Sequence, residues 1–551
     1  MAIGTRQDPS GWQVRWDEER ARRLKASGEW RDKTMADFAA EIAAKDPQRV
    51  LIVDGDTMIR AGEVHARARK LAAALIQRGL KPGDRVSYQL PNWGESIVVD
   101  LACTLAGLVV NPLVPIFRDA ELTFMMGDCG AKLVFIPAEF RKYDYRDMLR
   151  RVQAKLPQKV DVVVLRGDAQ EFIDFEALVA SGDEKTPLPK VDPDAVKLIL
   201  YTSGTTGRPK GVLHTHNTFD VQGRHFAAIA EITGQDVLLV ASPVSHITGV
   251  ILAFQLPWLV GCRALMMETW NGEAAIDLYE KHGFTFMGGA TPFLRELYLA
   301  SKARNTHLPK FRMFLCGGAA VPSELMRLAS DHWVNASLFR CHGCTEVPST
   351  SFGIPSRDAI KWNSESDGHA GLSDLKLVDP VTGGAIRWGD EGEVLLRGPQ
   401  MMLGYLRAED NANAFDEEGY FRTGDLAKYV MDDWIVISGR KKDLIIRAGE
   451  NLSPKEIEDA LFDHPAVAEI AVVGMPDERT GEAVCAYIVP NQGQTIDLPE
   501  VSRYLQSKGL AKQKIPARVE LAPELPKTPS GKVQKNVLRD RIKALVAGAA
   551  A

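Results

Sequence analysis

The residues with the clearest chemical purpose lie in one stretch, Tyr201-Thr-Ser-Gly-Thr-Thr-Gly-Arg-Pro-Lys-Gly211. Four hydroxyl side chains (Thr202, Ser203, Thr205, Thr206) stand among Gly204 and Gly207, and Lys210 adds a compact positive charge. Glycines let backbone N–H groups close on an anion, and hydroxyls and an ammonium supply further donors. The composition therefore suits a polyphosphate. The spacing is not that of a Walker A loop, because the glycines are three apart and Lys210 is followed by glycine. A Ser/Thr/Gly surface turn has the same composition, so this stretch alone does not decide.

Further strings follow in order: Cys316-Gly-Gly-Ala-Ala-Val-Pro322, His342-Gly-Cys-Thr-Glu346, Tyr420-Phe-Arg-Thr-Gly-Asp-Leu426, Gly439-Arg-Lys-Lys-Asp443 and Pro526-Lys-Thr-Pro-Ser-Gly-Lys532. With the first stretch they resemble the signature motifs of the adenylate-forming enzymes, which comprise acyl-CoA synthetases, luciferases and the adenylation domains of peptide synthetases. The likeness runs over residues 35 to 540.

That resemblance implies ATP, Mg²⁺ and coenzyme A as the small molecules handled, and it gives each string a role with a physical reason. The phosphate loop (Thr202 to Gly207 with Lys210) would cradle the triphosphate. Gly318, Ala319 and Ala320 would contact adenine, with His342 and Gly343 beside it. Glu346 is a hard carboxylate suited to Mg²⁺, and Thr345 would stand near the α-phosphate. Asp425 can accept two hydrogen bonds from a ribose diol. Arg440 is a planar donor fork for ribose or phosphate oxygens. Lys532 is the first catalytic candidate: joining a carboxylate to an α-phosphate brings two anions together, and a mobile ammonium offsets that charge. His246, in Ser242-Pro-Val-Ser-His-Ile-Thr-Gly249, would border the carboxylate pocket with Thr291-Pro292. Lys442 would be the hinge of a mobile C-terminal domain, and Gly449 would line the pantetheine tunnel in that domain's second pose. Away from the motifs, each of these residues has an ordinary reading as a surface, turn or structural group.

Two departures from the family pattern stand out. The aromatic that commonly stacks on adenine is His342 here, which offers less apolar area. Cys341-His-Gly-Cys344 also contains a C-x-x-C, but no second ligand pair stands at zinc-like spacing.

The elements that must position these groups alternate along the chain. Val64, Ala68, Leu71, Leu75 and Ile76 share a helical face that Gly79 closes, and Val86 to Leu90 reads as a strand. Ile97 to Leu108 reads as a helix, and Lys132 to Ile136 and Ala195 to Leu200 as strands. Gly249 to Met267 reads as a buried helix and strand rather than a membrane span, because Gln255, Pro257, Gly261 and Arg263 interrupt it. Ser453-Pro454-Lys455-Glu456 predicts a capping box opening a helix with Ile457, Leu461 and Phe462 on its apolar face. The alanine-rich tail after Leu545 is expected to fray. The fold class is α/β: a large layered α/β N-terminal domain over 1–441 and a small mobile α+β C-terminal domain over 442–551.

Composition narrows the function class. Of 551 residues, 45% are hydrophobic and 25% charged, as in an ordinary globular protein. Lys plus Arg (67) against Asp plus Glu (72) leaves a net charge of −5, which argues against a nucleic-acid binder. Seven cysteines make no disulfide framework, and no export signal opens the chain, so a cytoplasmic location is expected.

The expected activity is an ATP-dependent, AMP-forming carboxylate–CoA ligase working through an acyl-adenylate. Likeness of the stretch Asn111 to Glu121 to medium-chain and cyclohexanecarboxylate ligases points to a medium-chain or alicyclic acid. Aromatic acids, or loading of a separate carrier protein, are the alternatives. The chain stops shortly after the lysine motif, so no fused carrier domain is expected. A catalytically silent binding protein would be expected to lose Lys532 or Glu346, and both are present. A homo-oligomer, and a lysine acetyltransferase and deacetylase acting on Lys532, are the expected macromolecular partners.

Overall fold

Runs such as Val196-Lys-Leu-Ile-Leu-Tyr-Thr202 carry apolar side chains on both faces and therefore belong inside a sheet covered on both sides. A computed structural model describes residues 4–202, 208–318, 321–527 and 532–549. The expected site residues Ser203, Gly204, Thr205, Thr206, Gly207, Ala319 and Ala320 lie outside the described residues.

In the first sheet, Leu133–Pro137, Arg85–Tyr88, Val109–Pro112 and Val196–Thr202 run parallel in that spatial order. Val196–Thr202 then pairs antiparallel with Lys210–Thr215. Lys197 is the exception in its apolar run: its ammonium is fully buried and bonds Asp100 Oδ1 at 2.8 Å, which satisfies both charges locally. The second sheet begins with the parallel strands Val50–Asp54, Arg263–Met266, Val237–Val240, Phe286–Gly289, Met313–Gly317 and Ser337–His342. It continues into an antiparallel arm that includes Trp434–Arg440 and Phe421–Met431.

Ligands of open α/β sheets gather at the carboxyl ends of parallel strands. Met313–Gly317 and Ser337–His342 end side by side, with Gly317 opposite Cys341. A Cβ on Gly317 would stand 2.5 Å from the Cys341 carbonyl oxygen, so only glycine permits this approach.

The C-terminal segment forms its own sheet from Ile445–Arg447, Glu450–Leu452, Val467–Asp477, Gly481–Pro490 and Arg518–Leu521. Pro454–Phe462 and Leu498–Ser507 cover one face through Ile457, Leu461, Val501 and Leu505, and Lys535–Ala549 covers the other through Leu538 and Ile542. Lys442 lies in the short 3₁₀ turn Lys441–Asp443 that leads from the antiparallel arm into this sheet. Arg539 reaches back to that turn, bonding Asp443 Oδ1 at 2.8 Å.

Three local expectations change. Ser453 is the N-cap and Pro454 opens the helix, but the capping box does not form; Ser453 Oγ donates instead to the Ser438 carbonyl at 2.6 Å. The helix Lys535–Ala549 continues into the alanine-rich tail expected to fray, as the high helix propensity of alanine favours, and Ala550 and Ala551 lie outside the described residues. The helix read as Ile97 to Leu108 is Gly94–Leu105, because Gly107 takes φ +69° and breaks it. Among the described residues, no helix is long and apolar enough to cross a membrane.

Candidate active site

A cleft of about 2670 Å³ runs between the ends of these sheets and the C-terminal segment, large enough for more than one ligand. The antiparallel pairing of Val196–Thr202 with Lys210–Thr215 sets Thr202 directly opposite Lys210. Lys210 Nζ lies 4.8 Å from the Tyr405 ring centroid and 3.7 Å from Asp410 Oδ1. Arg208 bonds the same Asp410 at 3.0 Å. Arg208 also pairs with Glu409 Oε1 at 3.6 Å, so Asp410 and Glu409 together hold these two cations at this end of the cleft.

Glu346 faces them. Its Oε1 accepts from the Tyr405 hydroxyl at 2.7 Å, and its backbone carbonyl accepts from Met402 N at 2.8 Å. Beside it, the Thr345 carbonyl accepts from His214 Nε2 at 2.8 Å. Burial holds the His214 imidazole down to about 4 despite that bond, so it is a neutral donor at physiological pH. Both residues of the Thr-Glu pair are therefore fixed from behind by groups that sequence reading did not single out. Tyr405 and His214 belong to no spacing motif, and only the pairing of Gly404–Tyr405 with Lys210–Thr215 brings them here.

Across the cleft, Asp425 joins three motifs. Its Oδ2 accepts from His342 Nε2 at 2.9 Å, and its Oδ1 is ion-paired with Arg440 Nε at 2.8 Å. Burial alone would raise the Asp425 carboxyl, but Arg440, His342 and Lys532 outweigh it and hold the group down to about 2. Lys532 lies among these groups, and a Cβ on Gly318 would stand 3.5 Å from its Cε. Burial, and then Arg440, push the Lys532 ammonium below the usual lysine range, while Asp425, Cys344 and Glu346 oppose them. The arrangement presents an ammonium between the Glu346 end of the cleft and the Asp425 end.

His246 lines the same cleft, and burial, then the nearby Lys532, hold its ring down to about 4. Its Nδ1 also accepts from Thr248 N at 3.3 Å, so it caps the short helix Ile247–Val250 as well as facing the cavity. Thr291 and Gly343 border the cleft. Gly449 does not: it sits at φ +85° in the turn between Ile445–Arg447 and Glu450–Leu452, outside the cleft lining. Burial pushes the Cys341 and Cys344 thiols well up, which makes both poor nucleophiles.

Two family models match the chain: AMP-binding enzyme over residues 39–406 and AMP-binding enzyme C-terminal domain over 456–532. The chain belongs to the AMP-binding enzyme family. It is 34% identical to a medium-chain fatty-acid–CoA ligase of Escherichia coli, over 96% of this chain and 94% of that one. It is 31% identical to a 2,3-dihydroxybenzoate-AMP ligase of Bacillus subtilis, over 97% and 98% of the two chains. ATP-bound MatB from Rhodopseudomonas palustris, 29% identical, superposes with a TM-score of 0.83 over 93% of this chain and 99% of that one. The apo form of the same protein, with the same coverage, gives 0.73. This AMP-binding enzyme is thus an ATP-using acid–thiol ligase of the AMP-forming acyl-CoA ligase class, with acyl- or aryl-CoA or -AMP ligase activity.

Proposed function

We propose that the chain is an ATP-dependent carboxylate–CoA ligase acting on a medium-chain or alicyclic acid. The observation that carries this reading is the meeting of Lys532 with Asp425, Arg440 and Gly318 at one end of a cleft whose other end carries Lys210 and Glu346. The better superposition on an ATP-bound relative than on its apo form supports this pose as the one for adenylation.

In the first step a carboxylate oxygen attacks the α-phosphorus of ATP and pyrophosphate leaves. Lys532 offsets the charge of both anions as they meet, and Lys210 faces the departing pyrophosphate. Asp425 accepts from the ribose on the lone pairs that His342 and Arg440 leave open. Glu346 would hold Mg²⁺, which neutralises phosphate charge when bound. The fit is adequate with one carboxylate. Among the described residues no group of three His, Cys, Asp or Glu forms a cage, and Mg²⁺ needs only one or two carboxylates beside phosphate oxygens. In the second step the CoA sulfur attacks the acyl carbon and AMP leaves. The hinge at Lys442 would bring Gly449, now outside the cleft, to the thiol's path.

Support for the acid class comes from the cleft floor, where Phe226, Ile247, Ile251, Leu315 and Phe352 are all buried and apolar. A second reading, a hydroxylated aromatic acid, is favoured by Ser245, whose buried Oγ lines the cleft without a hydrogen-bond partner among the described residues. AMP release measured over a panel of carboxylic acids, with and without CoA, tests both readings. CoA-independent turnover, or saturation only with a carrier protein, would overturn the CoA-ligase reading.

A further inference from the structure

Arg340 lies two residues before His342 on the strand Ser337–His342, so the two side chains leave the same face. It lines the cleft yet is only 6% exposed. Its Nη2 donates to Ser323 Oγ at 3.0 Å, while its Nε, also buried, has no hydrogen-bond partner among the described residues. Among the described residues no carboxylate comes within ion-pair distance of it. Glu324 and Glu365 are held by Arg327, and Asp367 Oδ2 accepts from Ile437 N at 2.8 Å. A buried guanidinium held by one neutral hydroxyl is costly unless a ligand completes its shell.

The position of Arg340 narrows that ligand. The phosphates belong to the end carrying Thr202, Lys210 and Glu346. Cys341 leaves the opposite face of the strand and packs on Gly317. Arg340 shares the face of His342, the residue bonded to the proposed ribose acceptor Asp425, and so lies beyond the ribose. We infer that Arg340 is a specificity-determining residue for the nucleotide and donates to the acceptor edge of its purine. Arginine has donors only. It can serve ring nitrogens but cannot accept from the 6-amino group of adenine, and a 6-oxo purine, with O6 and N7 adjacent, suits its fork better. The enzyme therefore uses inosine triphosphate beside ATP.

This inference rests on the ligase reading above, and its test separates the two. Acid-dependent release of AMP or IMP is measured for the wild type, Arg340→Met and Ser323→Ala, with ATP and with ITP. Losing a charged donor should raise the nucleotide KM of Arg340→Met about tenfold or more, leave the acid KM within about twofold, and cost ITP more than ATP. Removing an unpaired buried charge should not lower the thermal midpoint of the apo variant. Arg340→Lys, which keeps the charge but loses the fork, should shift the ATP-to-ITP preference in the same direction. Ser323→Ala should leave that preference unchanged.

An active wild type with an unchanged preference in Arg340→Met, or a change in acid KM alone, overturns the inference and leaves the ligase reading standing. The same shift in Ser323→Ala would make Arg340 merely structural and also overturn it. A wild type with no acid-dependent nucleotide consumption sinks both.

Discussion

His342 Nε2 donates to Asp425 Oδ2 at 2.9 Å, although the two residues stand 83 positions apart in sequence. The bond ties the last residue of a parallel strand to the antiparallel arm, and it fixes the imidazole plane beside the proposed ribose acceptor. His342 is thus a positioning group as well as a ring.

Replacing His342 should separate those two roles. His342→Tyr adds ring area, worth about 0.5–1.5 kcal/mol in stacking, but loses the short donor to Asp425, worth about as much. ATP affinity should stay within about threefold of wild type, whereas His342→Ala, losing both, should weaken ATP about tenfold or more. Calorimetric titration with ATP reads both; an Ala variant that binds as tightly as wild type would remove His342 from the site.

Asp425 should give a distinctive acid profile. Its folded carboxyl is held at about 2, below the ordinary value near about 3.9. A depressed carboxyl contributes stability that is complete above the ordinary value and disappears as pH falls through the folded one. Asp425→Asn should therefore be less stable than wild type by a gap that is constant above about pH 5 and narrows only below about pH 4. Denaturant midpoints over that pH series check it; a gap that narrows near neutral pH would point to another group.

Lys532→Ala should divide the two half-reactions. Loss of one preorganised charge contact commonly costs on the order of 100- to 1000-fold, so ligation from ATP and acid should fall at least that far. Thioester formation from presynthesised acyl-AMP and CoA should remain near normal. An equally deep loss in the second assay would show that Lys532 is not confined to adenylation.

Tyr405→Phe removes the hydroxyl that steadies Glu346 and leaves the ring beside Lys210. The rate should fall about tenfold, as for one hydrogen bond to a charged group, and half-saturation should need more Mg²⁺. The acid KM should not move. A rate loss with an unshifted Mg²⁺ titration would place Glu346 away from the metal.

Lys442→Pro should spare pyrophosphate exchange and depress thioester formation, since proline fixes φ near about −65° in a turn proposed to swing. Parallel loss of both steps would indicate that the turn is rigid.

The sequence made the motif residues legible because each string carries its own signature. Lys210, Glu346, Asp425, Arg440 and Lys532 do converge on one cleft. Tyr405, Asp410, His214 and Arg340 were not legible, because each acts through a partner remote in sequence. His214 reaches Thr345 only because Lys210–Thr215 lies beside that loop in three dimensions. The core strands were readable from runs such as Leu133 to Pro137, where burial on both faces leaves no polar alternation. Ser453 misled for a related reason: a capping signature describes local partners only, and the Ser438 carbonyl competes from another strand.

That competition has its own consequence. Ser453 keeps extended, cap-like backbone angles (φ −78°, ψ 118°) while its hydroxyl is engaged by Ser438, on the strand that precedes the Lys441–Asp443 turn. If the C-terminal segment turned away from that strand, the hydroxyl would be released onto the unbonded amides at the start of its own helix. The hydroxyl would then exchange donation to the Ser438 carbonyl for acceptance from an amide of its own helix, so undocking would cost less than the lost contact alone implies. Ser453→Ala would remove both arrangements and so should leave the docking equilibrium closer to wild type than deletion of an ordinary interface hydrogen bond would.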